Sequence, residues 1–388
     1  MDAAQYSRLG KVAIYLCACA LHGETPKLNN DIDLTTLYRF CQFHSITAMT
    51  AMALERCPEI ASQPERINPW MQAKNKVIRK NILLNAERQR ILQHLESIGC
   101  WYMPLKGVLL QDEYPQFGMR QMSDNDILYD PEKQEAVYDF MIASGYRALS
   151  YGKTNHDEYV KEPVYNFEMH KSLFHTAWSP ELERYYRDIN KKLVKDPHNE
   201  YGYHLSVEDF YIYMIAHNYK HHILSGIGLR SLLDVYVFLQ SHGNEMQEDY
   251  VRSELTKLGC SDYEAACRAI SYHLLSSPQS NCRLSDEEEV LFRSFACSGT
   301  HGTEQMLMEN TLQKLMNKKA TAPRHTKLRY IWQRLFPSAQ ALSPVYPQAL
   351  KKPWLIPFFW IHRHWKTLLT KPKVIARELK ELLQRKNK

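Results

Sequence analysis

The hydrophobic positions change their period twice along the chain. Through the first ninety-odd residues they fall three and four apart, the spacing that gathers one face of an α-helix. Leu34, Leu37, Tyr38 and Cys41 form one such set, and Ile46–Leu54 is an Ala/Met-rich helical stretch that stops before Pro58. Asn68-Pro69 opens a further segment. Ala73–Ile98 then reads as one long helix whose buried stripe is Val77, Ile78, Ile82, Leu83, Ile91, Leu92 and Leu95. Gly99 closes it, because a left-handed helix end suits a residue without a Cβ.

From Cys100 the apolar runs become short and are bounded by turn residues. Trp101–Leu105, Asp126–Tyr129, Tyr146–Ser150 and Val164–Phe174 predict strands. A brief helix after Gly107 ends at Tyr114-Pro115, and Glu132–Ser144 keeps a helical period up to Gly145. Strands alternating with helices predict a small α/β unit. Beyond Pro197 the helical period returns. Phe210–His222 follows a capping pattern at Ser206-x-x-Asp209, and Leu229–His242, Asp249–Leu258, Asp262–Ser276, Asp286–Ala296 and Glu304–Asn317 come after it. From Pro323 the prolines multiply (Pro337, Pro344, Pro347, Pro353, Pro357), which predicts an irregular arm before a final helix from Lys373. Four regions result: helical residues 1–98, an α/β core over 99–197, helical residues 198–322, and a basic Pro/aromatic-rich arm and helix over 323–388.

Composition narrows the class. The 388 residues exceed one ordinary domain, and 44% apolar with 24% charged residues excludes wholesale disorder. The longest apolar run, Val12–Leu21, falls short of the roughly 18 residues that span a bilayer. Arg8, Lys11 and Ala18-x-Ala20 lend it the look of a signal peptide, but Asp2, Tyr15 and two cysteines break that pattern. Nine scattered cysteines without zinc-type spacing suit reduced thiols, so a cytoplasmic protein is expected. The net charge of +6 is too small to argue for nucleic acid. It is uneven, however: over Lys351–Lys388 only Glu378 and Glu381 oppose the bases. That tail suits a solvated helix, or peripheral contact with a membrane surface or polyanion. Trp354–Trp365 interleaves Trp and Phe with His and Arg. Pro357 interrupts a continuous amphipathic helix there, so packing of the arm onto the preceding helices is expected.

Candidate chemistry concentrates in the α/β region. Asp124 and Asp126 are two apart on a strand and share one face, where unpartnered carboxylates repel unless a divalent cation joins them. In Val164-Tyr-Asn-Phe-Glu-Met-His170, the residues Asn166, Glu168 and His170 share a face opposite Tyr165, Phe167 and Met169. If this strand lies beside the first, Glu168 completes a three-carboxylate cluster; otherwise it is a solvated strand face. Lys106-Gly107 stands at a strand-to-helix turn, where a glycine admits a phosphate to the backbone and a helix start favours anions. Arg120 adds a planar fork for phosphate four residues before Asp124.

Pro104-Leu-Lys-Gly-Val-Leu-Leu, Tyr114-Pro115, Arg120-x-x-Ser-Asp-x-Asp-Ile-Leu and Phe167-Glu-Met-His170, taken in order, resemble the uncharacterised nucleotidyltransferase-like family of the DNA polymerase β superfamily. Glu208–His217, with His221, Arg230 and Asp234, is similar to that family's helical segment. Leu335-Phe-Pro-Ser, Tyr346-Pro and Pro353-Trp-Leu-Ile-Pro are similar to its closing arm. Three departures stand out: Lys106-Gly107 replaces the superfamily's Gly-Ser turn, Asn125 an apolar residue, and Tyr129 a small aliphatic one. The resemblance implies an α+β, mostly helical protein with a small polymerase-β-like core embedded between helical regions. It further implies transfer of a nucleoside monophosphate from an NTP to an unidentified hydroxyl acceptor, with two Mg2+ ions held by Asp124, Asp126 and Glu168. Bacterial members often accompany polysaccharide-synthesis genes.

In that reading Lys106, Gly107 and Arg120 cradle the triphosphate, and His170 orients Glu168 or the acceptor. His217 and His221, four apart, suit ordinary packing, the lining of a cleft, or a zinc ion that lacks an evident third ligand. Arg230 lines the same cleft or pairs with Asp234, also four apart. The alternative is a catalytically inactive protein of the same fold that binds a nucleotide or a partner in a cell-envelope glycan pathway.

Overall fold

Each helical region buries one apolar stripe, and the α/β unit offers a sheet with two faces to cover; the architecture follows from how these are matched. A computed structural model of the chain describes residues 2–28, 32–176, 179–278, 283–317, 323–343 and 345–370. It is an α+β, mostly helical protein. The N-terminal part contains α1 (Ala3–His22), α2 (Leu34–Phe43), α3 (Thr47–Leu54), α4 (Pro58–Ala61) and α5 (Pro64–Ser97). Asp2 and Gln5 form a capping box at the start of α1, and the signal-like run Val12–Leu21 supplies that helix's buried face.

The long helix begins earlier than its periodicity predicts. α5 starts at Pro64 and runs through Pro69, which was expected to open a separate segment. Pro69 lies at the sixth position, so it forfeits one backbone bond close to the helix start, and the buried Ile67 and Trp70 on either side hold the turn. The stripe also differs. Val77, Asn81, Leu84, Ile91 and Leu95 are buried, whereas Ile82 is exposed. Asn81 explains the shift: its amide donates to the Arg120 carbonyl (2.9 Å) and accepts from the Met122 N–H (3.3 Å), so a polar residue occupies the inner face.

The sheet is built from β1 (Tyr102–Pro104), β2 (Asn125–Tyr129), β3 (Arg147–Ser150), β4 (His156–Lys161) and β5 (Tyr165–His170), in the order β1-β2-β5-β4-β3. The turn helix α6 (Gly107–Leu110) follows β1, and α7 (Gln134–Ala143) joins β2 to β3. β2 and β5 pair in parallel and the other neighbours are antiparallel. One face, with Ile127, Tyr129, Tyr159, Phe167 and Met169, packs on Val137 and Met141 of α7 and on Leu84, Ile91 and Leu95 of α5. The other face carries the polar residues described below. Pairing through β4 was not expected, since charged residues dominate His156–Lys161.

After α8 (Pro180–Tyr186) and the hairpin β6 (Leu193–Lys195) and β7 (Tyr203–Leu205), the chain forms α9 (Val207–His222), α10 (Arg230–His242), α11 (Glu248–Lys257), α12 (Ser261–Leu275), α13 (Asp286–Ser298) and α14 (Glu304–Asn317). Ser206 caps α9 by accepting the Asp209 N–H (3.1 Å). A single apolar core joins α1, α2 and α3 to α9, α10, α12 and α13, and reaches Met103 and Leu128 in the sheet.

The segment from Pro323 is helical rather than irregular: α15 (Pro323–Leu335), α16 (Ala339–Leu342), α17 (Gln348–Lys351) and α18 (Ile356–Thr370). Pro323 and Pro357 stand in the first turns of α15 and α18, where an absent N–H costs no helical bond. Pro357 therefore starts a helix that it was expected to break. The final helix expected from Lys373 lies outside the described residues.

Candidate active site

Parallel pairing of β2 with β5 puts Asp126 directly opposite Glu168 and Leu128 opposite His170. β4 continues both rows, with Glu158 beside Glu168 and His156 beside His170. Asp124 precedes β2, two residues from Asp126, and its carboxylate accepts the Ser123 hydroxyl (2.9 Å). Asp124, Asp126, Glu168, His156 and His170 line a cavity of about 650 Å3 between the sheet and α9. Arg88 of α5 donates to the Asn125 side chain (3.0 Å) on the opposite face, which accounts for a polar residue at that buried position.

The cations of this cavity are arranged unevenly. Lys106 Nζ donates to Asp126 Oδ1 at 2.9 Å, and His170 Nε2 approaches the same oxygen at 2.8 Å. His170 Nε2 also lies 3.3 Å from Glu168 Oε2, with His156 Nε2 at 3.8 Å from that oxygen. Burial would raise the Asp126 pKa, but Lys106 and His170 outweigh it and hold the carboxyl far below the usual range. Burial likewise opposes charge on Lys106 and His170, and the carboxylates prevail, raising both. Asp124 behaves in the opposite way. Burial first, and then the neighbouring Asp126 charge, push its pKa up. That carboxylate lacks sufficient positive compensation.

Lys106 has φ +50° and ψ −118°, an uncommon backbone state for a residue bearing a side chain. Holding it costs on the order of 1–3 kcal/mol, an expense met mainly at functional turns. The turn throws the lysine over β2. Arg120 packs closely on Gly107: a Cβ there would sit 2.3 Å from Arg120 Nη1. The helix that Gly107 opens is a single turn, too short to gather much dipole.

Arg120, expected to offer a fork to phosphate, borders the cavity but has its guanidinium engaged by a carboxylate. Its guanidinium is bidentate to Asp234 of α10, with Nε to Oδ1 at 2.8 Å and Nη2 to Oδ2 at 2.9 Å, and Tyr114 adds a hydroxyl bond to Oδ1 (2.8 Å). All three are buried. The expected Arg230–Asp234 alternative gives way to this arrangement; Arg230 instead donates to the Gln121 carbonyl (2.8 Å) and borders the cavity.

The far wall is α9. His217 and His221 bring their Nε2 atoms within 3.2 Å, and burial together with nearby lysines holds both neutral, His221 down to about 3. Lys220, on the same wall, escaped the sequence reading although it lies three residues from His217 and shares its helical face. Burial and then Lys106 lower its pKa to about 8, and its ammonium lies 5.5 Å from the Phe174 ring centre. His156 was missed along with its strand; burial and His170 lower it to about 4.

Two donor sets fit a divalent cation. The oxygens of Asp124, Asp126 and Glu168 suit a hard ion such as Mg2+, which would relieve the uncompensated Asp124. His156, Glu168 and His170 each bring one ligand atom within 4.8 Å of the others, a mixed set that suits a transition ion better.

A carboxylate cluster on a small mixed sheet, with Lys106 beside it and Lys220 on the opposite wall of a ligand-sized cavity, is compatible with handling a charged ligand such as a nucleotide. The sequence agrees with that reading. Residues 30–276 match the family described as uncharacterised nucleotidyltransferase, and the chain belongs to this family. No curated protein and no solved structure matches the chain.

Proposed function

We propose that the chain transfers a nucleoside monophosphate from an NTP to a hydroxyl acceptor (a sugar, metabolite or protein side chain), using Mg2+, in the cytoplasm and in the service of polysaccharide synthesis. The observation that carries this is the in-register pairing of Asp126 with Glu168, with Asp124 two residues away, on the wall of a cavity bordered by Lys106, Lys220 and Arg230. Asp124, Asp126 and Glu168 would hold two Mg2+ ions. Bound there, the ions would lower the pKa of the acceptor hydroxyl and offset charge on the departing pyrophosphate.

The chain's own residues perform the rest. The hydroxyl gives its proton to water, and its oxygen forms a bond to the α-phosphorus as the bond from that phosphorus to the bridging oxygen breaks and pyrophosphate leaves. Lys106 and Lys220 bring positive charge to the side where negative charge grows. His170, bonded to Asp126 and close to Glu168, fixes the orientation of both carboxylates. The paired His217 and His221, neutral at pH 7, form a donor–acceptor wall for the nucleoside or acceptor.

A second reading takes support from Asp126 itself. Lys106 and His170 already neutralise its Oδ1, which favours a metal-free, catalytically inactive nucleotidyltransferase-fold protein that binds a nucleotide or a partner in a cell-envelope glycan pathway. Calorimetric titration with each NTP, with and without Mg2+, separates the two. The enzyme reading expects Mg2+ to tighten binding and Asp124→Ala/Asp126→Ala to abolish that gain. Binding that ignores both changes rejects it in favour of the second. Incubation with labelled NTPs, Mg2+ and host extract then identifies the acceptor by what becomes labelled.

A further inference from the structure

α18 packs by one side only. Its Trp360 indole donates to the Pro337 carbonyl (2.9 Å), Arg363 Nη1 donates to the Arg334 carbonyl (2.8 Å), and Phe359 stacks on Tyr346 with centroids 4.8 Å apart. The opposite side is apolar and, among the described residues, bare. Trp354, just before the helix, and Phe358, Ile361, Trp365, Leu368 and Leu369 are 56–69% exposed; the first five recur at steps of four, three, four and three, the period of one helical face, and Leu369 adjoins the last of them. Scattered exposed hydrophobics are ordinary; a continuous stripe of six marks a surface that meets something apolar.

Charge identifies what it meets. From Asn310 to Thr370 the chain contains no Asp or Glu and eleven Lys and Arg. Lys351 and Lys352 stand exposed just before the stripe and Lys366 exposed beside it. A purely apolar protein partner would not call for such a rim, and a nucleic acid would not call for three aliphatic residues on the stripe. Both features together fit a bilayer surface with anionic headgroups. Trp settles at the headgroup level, Ile and Leu reach the acyl chains, and lysines neutralise phosphate.

We propose that α18 is a membrane-surface helix that lays its Phe358–Leu369 face, together with Trp354 just before it, into the interface of an anionic phospholipid bilayer. The helix lies in the plane of that interface, its apolar side sunk by about 5–10 Å, and does not cross the bilayer. No helix among the described residues is long and apolar enough to cross.

The test uses the full chain and two kinds of vesicle, phosphatidylcholine alone and equimolar phosphatidylcholine with phosphatidylglycerol. Co-sedimentation is expected with the anionic vesicles only and should weaken as salt is raised. Trp354→Ser/Phe358→Ser/Trp365→Ser, with unchanged circular dichroism, should lower that binding about tenfold or more. Replacing Lys351, Lys352 and Lys366 by Ser should cost about fivefold per lysine and remove the preference for phosphatidylglycerol. Wild-type protein that ignores both vesicles overturns the proposal, as does full binding by the aromatic variant. An aromatic-dependent dimer without vesicle binding makes the face a subunit contact and overturns it too. Lysine-dependent binding of an RNA homopolymer without vesicle binding does the same. Should the aromatic variant fail to fold, quenching of wild-type tryptophan emission by phosphatidylglycerol vesicles with brominated acyl chains decides, and its absence refutes insertion.

Discussion

Asp126 and Asp234 are both buried carboxylates, and each takes its cation from a residue near the turn that follows β1, yet their surroundings differ in kind. Asp234 is closed: Arg120 meets it with two parallel bonds, Tyr114 supplies a third, and the three groups leave little charge unspent. Asp126 is open. Lys106 and His170 converge on one oxygen, Glu168 and Asp124 add negative charge beside it, and the whole group faces a cavity. A closed pair of this kind fixes geometry between segments, here the 114–120 turn against α10. An open cluster keeps part of its interaction capacity for something that enters. The two groups are adjacent, since Arg120 packs on Gly107 next to Lys106. The closed pair therefore acts as the foundation of the open one.

Removing the foundation should have the largest effect. Asp234→Ala leaves the Arg120 guanidinium buried without its partner and is expected to cost about 3–5 kcal/mol, read by urea denaturation. Arg120→Met/Asp234→Leu should recover much of that, because neither charge is then stranded. The open cluster should respond in the opposite sense. Asp124→Ala is expected to reduce nucleotidyl transfer about 100–1,000-fold or more, while Tm stays level or rises, because burial and the Asp126 charge leave that carboxylate uncompensated. A loss of stability matching that of Asp234→Ala would erase the distinction between the two groups.

Lys220→Met should act less strongly, with a pH signature. The Lys220 pKa near 8 means the ammonium is mostly charged at pH 7 and is lost as pH rises through 8. Wild-type NTP affinity should therefore fall above about pH 8. The variant should bind about tenfold more weakly at pH 7 and show no such fall, as measured by titration calorimetry across pH 6.5–9. A wild-type profile that is flat over this range removes Lys220 from triphosphate binding.

Period and parity made much of this legible from residues alone. The alternation along β5 puts Glu168 and His170 on one face whatever the tertiary context, the β2–β5 pairing brings Asp126 to that face, and helical spacing brings His217 and His221 together. What stayed hidden depends on contacts far along the chain or on polar burial. Arg120 and Asp234 are 114 residues apart, and nothing local distinguishes a guanidinium meant for phosphate from one meant for α10. β4 carries charge on both faces, with Glu158 beside Glu168 on one and Asp157 and Lys161 on the other, so it lacks the apolar run that marks a central strand. The inner face of α5 includes Asn81 because a loop needs its amide, and this shifts the stripe away from Ile82. Pro69 and Pro357 mislead for a shared reason: a proline near a helix start reads as a break but removes few bonds or none.

The smallest expected effect probes the third bond of the closed group. Tyr114→Phe removes only the hydroxyl that donates to Asp234 Oδ1, leaving both Arg120 bonds and the ring's packing in place. The carboxylate stays paired, so the cost should be that of one hydrogen bond to a charged acceptor, about 1–2 kcal/mol by urea denaturation. NTP affinity should not change, since the Tyr114 hydroxyl bonds into the closed pair rather than into the cavity. If affinity falls along with stability, Asp234 is transmitting the loss through Arg120 and Gly107 to Lys106, and the two carboxylate groups form one network instead of a foundation and a site.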